Sequence, residues 1–192
     1  YWLAGKPGIR GWEWKPISYY PTHVLQAIVA AEDARFFQHW GVDLSAVEDA
    51  LDDSDVRTKP RGASTITMQT VKNIFLWPGR SYIRKAIEAC MAPVAGVLWG
   101  KKRTLELYVN VIEWGEGVYG LEAASKHYFN RPASELSVRE AAALAAILPS
   151  PRKLSPKALG GATGRRFERI VRESPDVPVP KRWRKVSIPR EK

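Results

Sequence analysis

The segment Glu32–Gly41 places two carboxylates directly after an apolar stretch, which the sequence predicts to be a helix capped by Thr22. Aromatic side chains follow at positions 36, 37 and 40. Partial burial beside such rings favours proton uptake by a glutamate near neutral pH, as a general base requires. Glu32 is therefore a candidate base. A solvated Glu32–Asp33 pair at a helix end is the alternative that this segment alone leaves open.

A second polar segment, residues 61–73, begins with glycine and small hydroxyl residues and continues as a predicted helix. Thr65, Gln69 and Lys72 are four and three residues apart, so they share one face of that helix. Hydroxyl, amide and ammonium donors on one face suit a phosphate group, and Arg80 adds a guanidinium just past the next turn. The P-loop spacing G-x-x-x-x-G-K-[ST] is absent. The alternative is an ordinary polar helix face capped by Ser or Thr.

A third segment combines Arg84, Lys85 and Glu88, so that one carboxylate follows two cations inside an otherwise apolar predicted helix. The alternative to a functional role is an Arg84–Glu88 surface pair, which is common in helices and contributes little to stability.

The charge of the chain is concentrated at its C-terminal end. The net charge is +10, and residues 152–192 hold thirteen Lys/Arg against four Asp/Glu. Such a segment suits an anionic surface, either phospholipid or nucleic acid, and a solvated tail is the alternative. The single cysteine, Cys90, excludes an intramolecular disulfide, and its apolar neighbours predict a buried thiol. No run of 18 apolar residues is present.

The candidate residues must be positioned mainly by helices, because strand signals are nearly absent. Helices are predicted from the Thr22 cap to Glu32 and Asp33, over 64–76, from 81 through 86–99 with a bend or restart at Pro93, and over 102–112, 119–129, 141–148 and 165–172. Residues 43–60 predict a short helix and then a loop. Ser137 and Glu140 form a capping box. Four prolines after residue 173 argue against a packed core there, so we predict that residues beyond about 173 are not needed for folding.

Together, the three segments resemble the first three motifs of the family-51 glycosyltransferases, the peptidoglycan polymerases, and most closely the monofunctional biosynthetic transglycosylases. The first motif is matched by Glu32, Asp33, Phe36, His39 and Gly41. The second is matched by Gly62, Ser64, Thr65, Ile66, Thr67, Gln69, Lys72 and Asn73. The third is matched by Arg84, Lys85, Glu88 and Ala92, and the likeness covers about residues 22–156.

Three residues depart from that family pattern. Met68 stands where a glutamine is usual, Ala63 replaces a common glycine, and Gly96 stands where the third motif often ends in an acid. The last change puts a role for a second acid in doubt, but not a role for Glu88.

The resemblance implies a mainly α, lysozyme-like glycosyltransferase domain over residues 22–156. An N-terminal arm, 1–21, would follow a membrane anchor missing upstream, and 157–192 would form a basic C-terminal tail. The activity implied is polymerisation of lipid II, by transfer of an undecaprenyl-pyrophosphate-linked glycan to a GlcNAc 4-hydroxyl with inversion. The implied location is the outer face of the bacterial cytoplasmic membrane. The implied partners are the membrane surface and other cell-wall synthesis proteins, with no nucleic acid.

The resemblance also implies roles for individual residues. Glu32 would take the acceptor proton, and Glu88 would hold a divalent cation, Mg²⁺ or Mn²⁺, or orient the cations; a metal could contact both glutamates. The pyrophosphate would be neutralised by Lys72 and Arg80, with donors from Ser64, Thr65 and Gln69. The remaining substrate-binding candidates are Asp33, Arg35, Phe36, Asn73, Arg84 and Lys85.

Two other functions stay open at this point. A lysozyme-like murein hydrolase would also use one buried glutamate, but it would not need the Lys72 and Arg80 cations, and it would release reducing ends from preformed murein. A basic helical module that binds nucleic acid would leave the motif pattern unexplained, and salt-sensitive DNA binding would identify it.

Overall fold

The computed structural model describes residues 11–45, 48, 64–77, 79 and 81–183. The described helices and strands are, in chain order, α1 (Thr22–Glu32), α2 (Ile66–Phe75), α3 (Tyr82–Val111), β1 (Glu113–Gly115), β2 (Val118–Tyr119), α4 (Leu121–Phe129), α5 (Val138–Ile147) and α6 (Gly161–Glu173). The chain forms two compact units. Of the described residues, those within Arg35–Tyr108 form the first unit, and those of 11–34 and 109–183 form the second.

In the first unit, α2 packs against α3. Val71, Leu76 and Ala95 form a buried cluster at this contact. The rings of Phe75 and Trp99 stack beside it with centroids 6.0 Å apart. The apolar side chains of α2 recur at helical spacing on one face, so the opposite face is left to its polar residues.

Helix α3 is interrupted at Gly100 and not at Pro93. Gly100 has a φ of +62°, a conformation that glycine adopts without steric cost, and the helical hydrogen bonding resumes after it. Pro93 lies inside the first helical stretch of α3. A restart at Pro93 is therefore wrong, whereas the predicted boundary between helices 81–99 and 102–112 is confirmed, because the break falls at Gly100.

Two glycines let α3 approach the loop that follows Phe37. A Cβ atom on Gly96 would lie 2.5 Å from the carbonyl oxygen of Trp40, and one on Gly41 would lie 2.2 Å from the carbonyl oxygen of Ala92. Gly41 also has a φ of +119°. Both positions need glycine because backbone contacts backbone there.

The second unit is built around α1, whose buried residues surround most of the helix. It packs against α5, and both pack against α6. Helix α5 is rich in alanine and buried from Ala141 to Ile147, which lets neighbouring helices come close. Its predicted capping box is present, with Ser137 accepting from the Glu140 backbone and Glu140 accepting in return. Strands β1 and β2 form an antiparallel hairpin before α4.

Asn110 fixes the chain segment that precedes α1. Its side chain accepts from the backbone N–H of Lys15 at 2.9 Å and donates to the Lys15 carbonyl at 2.9 Å. Its own carbonyl accepts from the indole of Trp12 at 2.9 Å. Ile17 and Tyr20 are buried just after these contacts. The described part of the predicted arm thus packs onto the second unit and contains a short 3-10 helix, Ile17–Tyr19.

The segment after α6 is also packed. Gln26 of α1 donates to the carbonyl of Val177 at 2.9 Å and to that of Pro175 at 3.2 Å. Val177, Val179 and Trp183 are buried. The expectation that nothing beyond residue 173 has a packed core is wrong, because two short 3-10 turns, Ser174–Asp176 and Lys181–Trp183, and the residues between them bury their apolar side chains. The domain boundaries stay predictions.

The predicted fold class is confirmed, since the described chain is mainly α with one small hairpin. Thr22 is the first residue of α1 and not its cap, which is Pro21. Cys90 is exposed, so the prediction of a buried thiol is wrong. No helix among the described residues is long and apolar enough to cross a membrane. Most of residues 43–60, and Arg80, lie outside the described residues.

Candidate active site

Glu32 is the last residue of α1, in the second unit. Its side chain is 11% exposed, and the five residues before it, Ala27–Ala31, are buried. The guanidinium Nη2 of Arg166, on α6, lies 2.6 Å from Glu32 Oε1 and also donates to the carbonyl of Ala31 at 2.8 Å. Glu32 is therefore nearly buried, keeps limited access to solvent, and is contacted by a fixed cation.

Asp33 terminates the same helix. Its backbone N–H donates to the carbonyl of Val29 at 2.9 Å, and its side chain is buried. The alternative of an ordinary solvated Glu32–Asp33 pair does not describe these residues, since neither side chain is exposed. A substrate-binding role for Asp33 stays a prediction.

Thr65, in the first unit, caps α2. Its hydroxyl accepts from the backbone N–H of Met68 at 3.1 Å and donates to the carbonyl of Gly41. A threonine hydroxyl has one proton to donate, so donation to a phosphate would require breaking the bond to Gly41. The structure thus gives Thr65 an architectural role that joins the first two motifs. Met68 is itself buried, where a thioether leaves no polar group to satisfy.

The partly exposed residues of α2 form the polar face that the sequence predicts. The amide oxygen of Gln69 accepts from the hydroxyl of Tyr108 at 3.3 Å. Asn73 donates from its side chain to the Gln69 carbonyl at 2.8 Å. Lys72 lies between them in sequence and is partly exposed. The face therefore offers suitable hydrogen-bond donors, and its role in binding a phosphate stays a prediction.

Glu88 joins the second and third motifs and is 3% exposed. Arg84 Nη1 lies 3.0 Å from its Oε1, and Lys85 Nζ lies 3.1 Å from its Oε2. Lys85 Nζ also donates to the hydroxyl of Ser64 at 2.8 Å. The alternative of a weak surface pair is wrong, because the carboxylate is buried between two cations. Four predicted residues are brought together here.

This arrangement does not fit a divalent cation at Glu88. Mg²⁺ and Mn²⁺ prefer several oxygen ligands and anionic surroundings, whereas both carboxylate oxygens already face a cation. The carboxylate instead fixes the direction of Arg84 and Lys85.

Arg35 and Phe36 lie at the start of the first unit. Arg35 donates to Asp43 at 2.8 Å, and both line an open pocket of about 510 Å³ together with Trp40 and Leu44. Phe36 is fully buried, with Lys101 Nζ 4.3 Å from the centre of its ring. A substrate contact by Phe36 therefore stays a prediction, and the structure gives the ring a place in the core.

Sequence reasoning missed three residues at these sites. Tyr108 lies in the stretch 105–110, which resembles a later motif of the family, and Asp43 lies in an acidic stretch, but neither was predicted to contact the site. They contact Gln69 and Arg35. Arg166 was noted only as part of a basic helix, although its hydrogen bond to Glu32 ties α6 to the first motif. No spacing rule connects residues 134 positions apart, so only the fold reveals that contact.

Comparisons with known proteins agree with the motif pattern. The family described as Transglycosylase matches residues 9–174. A biosynthetic peptidoglycan transglycosylase of Marinomonas sp. (strain MWYL1) is 55% identical over 146 residues, covering 76% of this chain and 65% of that protein. The protein of that name from Shewanella frigidimarina (strain NCIMB 400) is 53% identical, over 76% of this chain and 65% of its own length. The one from Yersinia pseudotuberculosis serotype O:1b (strain IP 31758) is 42% identical, over 90% of this chain and 72% of its own length.

The chain spans about two thirds of the length of these relatives. The match to the family nevertheless extends through all three motifs and on into α6. The chain therefore belongs to the transglycosylase family.

Proposed function

We propose that the chain polymerises lipid II into glycan strands. The growing strand, linked to undecaprenyl pyrophosphate, is the donor, and a GlcNAc 4-hydroxyl is the acceptor. The observation that carries this proposal is the nearly buried carboxylate of Glu32 within a chain region that matches the transglycosylase family. The names of the similar proteins from Marinomonas and Shewanella support it.

In this proposal Glu32 is the general base. Inversion in a single displacement needs a base on the attacking hydroxyl. The Glu32 oxygen takes the proton as the hydroxyl oxygen bonds to the anomeric carbon, and the bond from that carbon to the pyrophosphate oxygen breaks. The carboxylate is positioned for this by the end of α1 and by Arg166.

The cations of the first unit stabilise the leaving pyrophosphate. A pyrophosphate leaves with its own negative charge, so it needs neutralisation more than it needs a proton. Lys72 and Lys85 are partly or fully exposed on their helices, and Ser64 adds a hydroxyl beside Lys85. Glu88 holds Arg84 and Lys85 in place. For Arg80, the proposed contact with the pyrophosphate is based on the family resemblance.

The proposed place of action is the outer surface of the bacterial cytoplasmic membrane. Exposed large apolar side chains of the described residues concentrate in the first unit, and Tyr82, Ile83, Val97 and Leu98 of α3 are among them. Exposed apolar side chains in such numbers mark contact with a membrane or a partner. A substrate with a polyprenyl chain requires that contact.

Conversion of lipid II by the purified protein tests this proposal. The parent should consume lipid II and form a polymer that lysozyme degrades. Glu32→Gln keeps the shape and removes the base, so turnover should fall by on the order of 10²–10⁴ while lipid II still binds. Near-parental polymerisation by this variant would exclude Glu32 as the base.

Two further assays test the hydrolase alternative and the predicted metal requirement. Release of reducing ends from preformed murein, with no use of lipid II, would identify a hydrolase instead. Polymerisation in EDTA compared with Mg²⁺ or Mn²⁺ measures the predicted metal requirement, for which the surroundings of Glu88 give no support.

A further inference from the structure

Arg166 makes two hydrogen bonds at the end of α1. Arg166 Nη2 donates both to Glu32 Oε1, at 2.6 Å, and to the carbonyl of Ala31, at 2.8 Å. The last carbonyls of a helix have no partner within the helix, and they form the negative end of its dipole. One guanidinium nitrogen thus satisfies the helix end and fixes the side chain of the adjacent glutamate.

The position of Arg166 is itself fixed by its helix. Phe167 and Ile170 of α6 are buried, and the guanidinium of Arg139, on α5, lies 4.8 Å from the centre of the Phe167 ring. Arg139 also pairs with Glu168 at 3.2 Å. Because α6 is anchored directly after Arg166, the reach of that side chain toward Glu32 is set by the packing of a helix and not by a flexible loop.

The geometry also restricts the glutamate. The side chain of Arg166 is 23% exposed and that of Glu32 is 11% exposed, so solvent screens this pair less than it screens a surface pair. A carboxylate that accepts a charge-assisted hydrogen bond from a fixed donor keeps one orientation. A general base depends on such orientation, because a displacement of about 1 Å can cost on the order of 100-fold in rate.

We propose that Arg166 is a positioning residue for the catalytic base, holding the Glu32 carboxylate in the orientation that accepts the acceptor proton. This inference rests on the proposed function. Arg166 does not itself take the proton, since a guanidinium stays protonated throughout. Its removal leaves the glutamate in place but frees its side chain to rotate.

The test is the steady-state kinetics of lipid II polymerisation by Arg166→Met, which keeps the aliphatic stem and removes every donor. We expect kcat to fall by roughly 10- to 100-fold. KM should stay within about threefold and Tm within about 3 °C, since the packing of Phe167 and Ile170 is retained. Arg166→Lys restores a cation without the planar guanidinium and should recover part of kcat.

The matched control is Arg165→Met, because Arg165 is the neighbouring residue on α6 and is exposed. It removes the same charge from the same helix and should leave kcat at the parental value. The specificity of the effect is measured in a Glu32→Asp background, where the shorter carboxylate loses the contact. There Arg166→Met should cost much less than it does in the parent, because a coupled pair is not additive.

The outcomes separate this inference from the proposed function. If Arg166→Met turns over like Arg165→Met, or lowers kcat equally in both backgrounds, Arg166 does not act through Glu32 and the inference is wrong. If Arg166→Met melts far below the parent, Arg166→Lys decides: a parental Tm with reduced kcat supports positioning, and a kcat that only follows Tm overturns it. A parent that does not polymerise lipid II removes the proposed function and this inference with it.

Discussion

The burial of Trp183 predicts that the end of the described chain stabilises the second unit strongly. Trp183 is 7% exposed, and Val177 and Val179 on the same segment are also buried. Replacing a buried Trp or Phe with Ala typically costs about 3–5 kcal/mol. Trp183 lies in a short 3-10 turn near the end of the described residues, where neighbours can relax into the vacated space. We therefore expect Trp183→Ala to cost about 3 kcal/mol, at the lower end of that range.

Thermal unfolding followed by circular dichroism measures this cost. A domain of this size loses about 2–4 °C of Tm for each kcal/mol, so Tm should fall by about 6–12 °C. The matched control is Trp40→Ala, because the same side chain is removed at a position that is 67% exposed. Exposed substitutions usually stay within about 0.5 kcal/mol, so the control should move Tm by less than about 2 °C.

A small effect would refute this reasoning. If Trp183→Ala melts within about 2 °C of the parent, or no lower than Trp40→Ala, the buried indole contributes no net stability. The segment after α6 would then be dispensable for folding, as its prolines and charge suggest.

Two further predictions follow from the packing and the caps. Gly96→Ala places a Cβ 2.5 Å from a backbone oxygen and should lower the free energy of unfolding by about 1–3 kcal/mol. The control is Val97→Ala, an exposed position on the same helix, which should change Tm little. Equal Tm values for the two variants would contradict the close approach. Burial acts to raise the pKa of Glu140, but hydrogen bonds from Ser137 and the charge of Arg131 outweigh it and hold the pKa below its usual 4.5. The Glu140 carboxylate therefore stabilises the fold above about pH 4.5, and this stabilisation is lost as the pH falls through the lowered pKa of the folded state. The Tm difference between Glu140→Gln and the parent should then shrink from pH 6 to pH 3. A difference that stays constant over this range would contradict the prediction.

The sequence predicts best those elements whose signals are local. The apolar periodicity of α1, the polar face of α2 and the capping box of α5 each lie within about ten residues, and the structure has all three. The polar face of α2 also carries the second motif, so its position was predictable as well. Local patterns suffice here because each helix is specified by its own caps and spacing.

The sequence fails where packing is long-range. Residues after 173 contain scattered apolar side chains among prolines and charges, which is also the composition of a solvated tail. Their burial depends on contacts such as that of Gln26 with Val177, 151 residues apart. The link between Arg166 and Glu32 is hidden for the same reason.

A motif also does not distinguish chemistry from architecture. Phe36 and Thr65 match the family pattern as well as Glu32 does. Phe36, however, is fully buried, and the hydroxyl of Thr65 donates its proton to the carbonyl of Gly41. Only burial and hydrogen-bond partners separate residues that face the substrate from residues that hold the motifs in place.

The contact between Gly41 and Gly96 constrains how this chain can evolve. Each glycine faces backbone atoms of the segment that carries the other, at distances that exclude even a methyl group. An acid at position 96, as the third motif often has, therefore cannot be acquired by a single substitution in this background. It requires a different course of the chain at Trp40 and Gly41, so the two segments must be exchanged together when sequences of this family are recombined. A library that crosses over between them, with the acid on one side and this loop on the other, would be depleted of folded proteins.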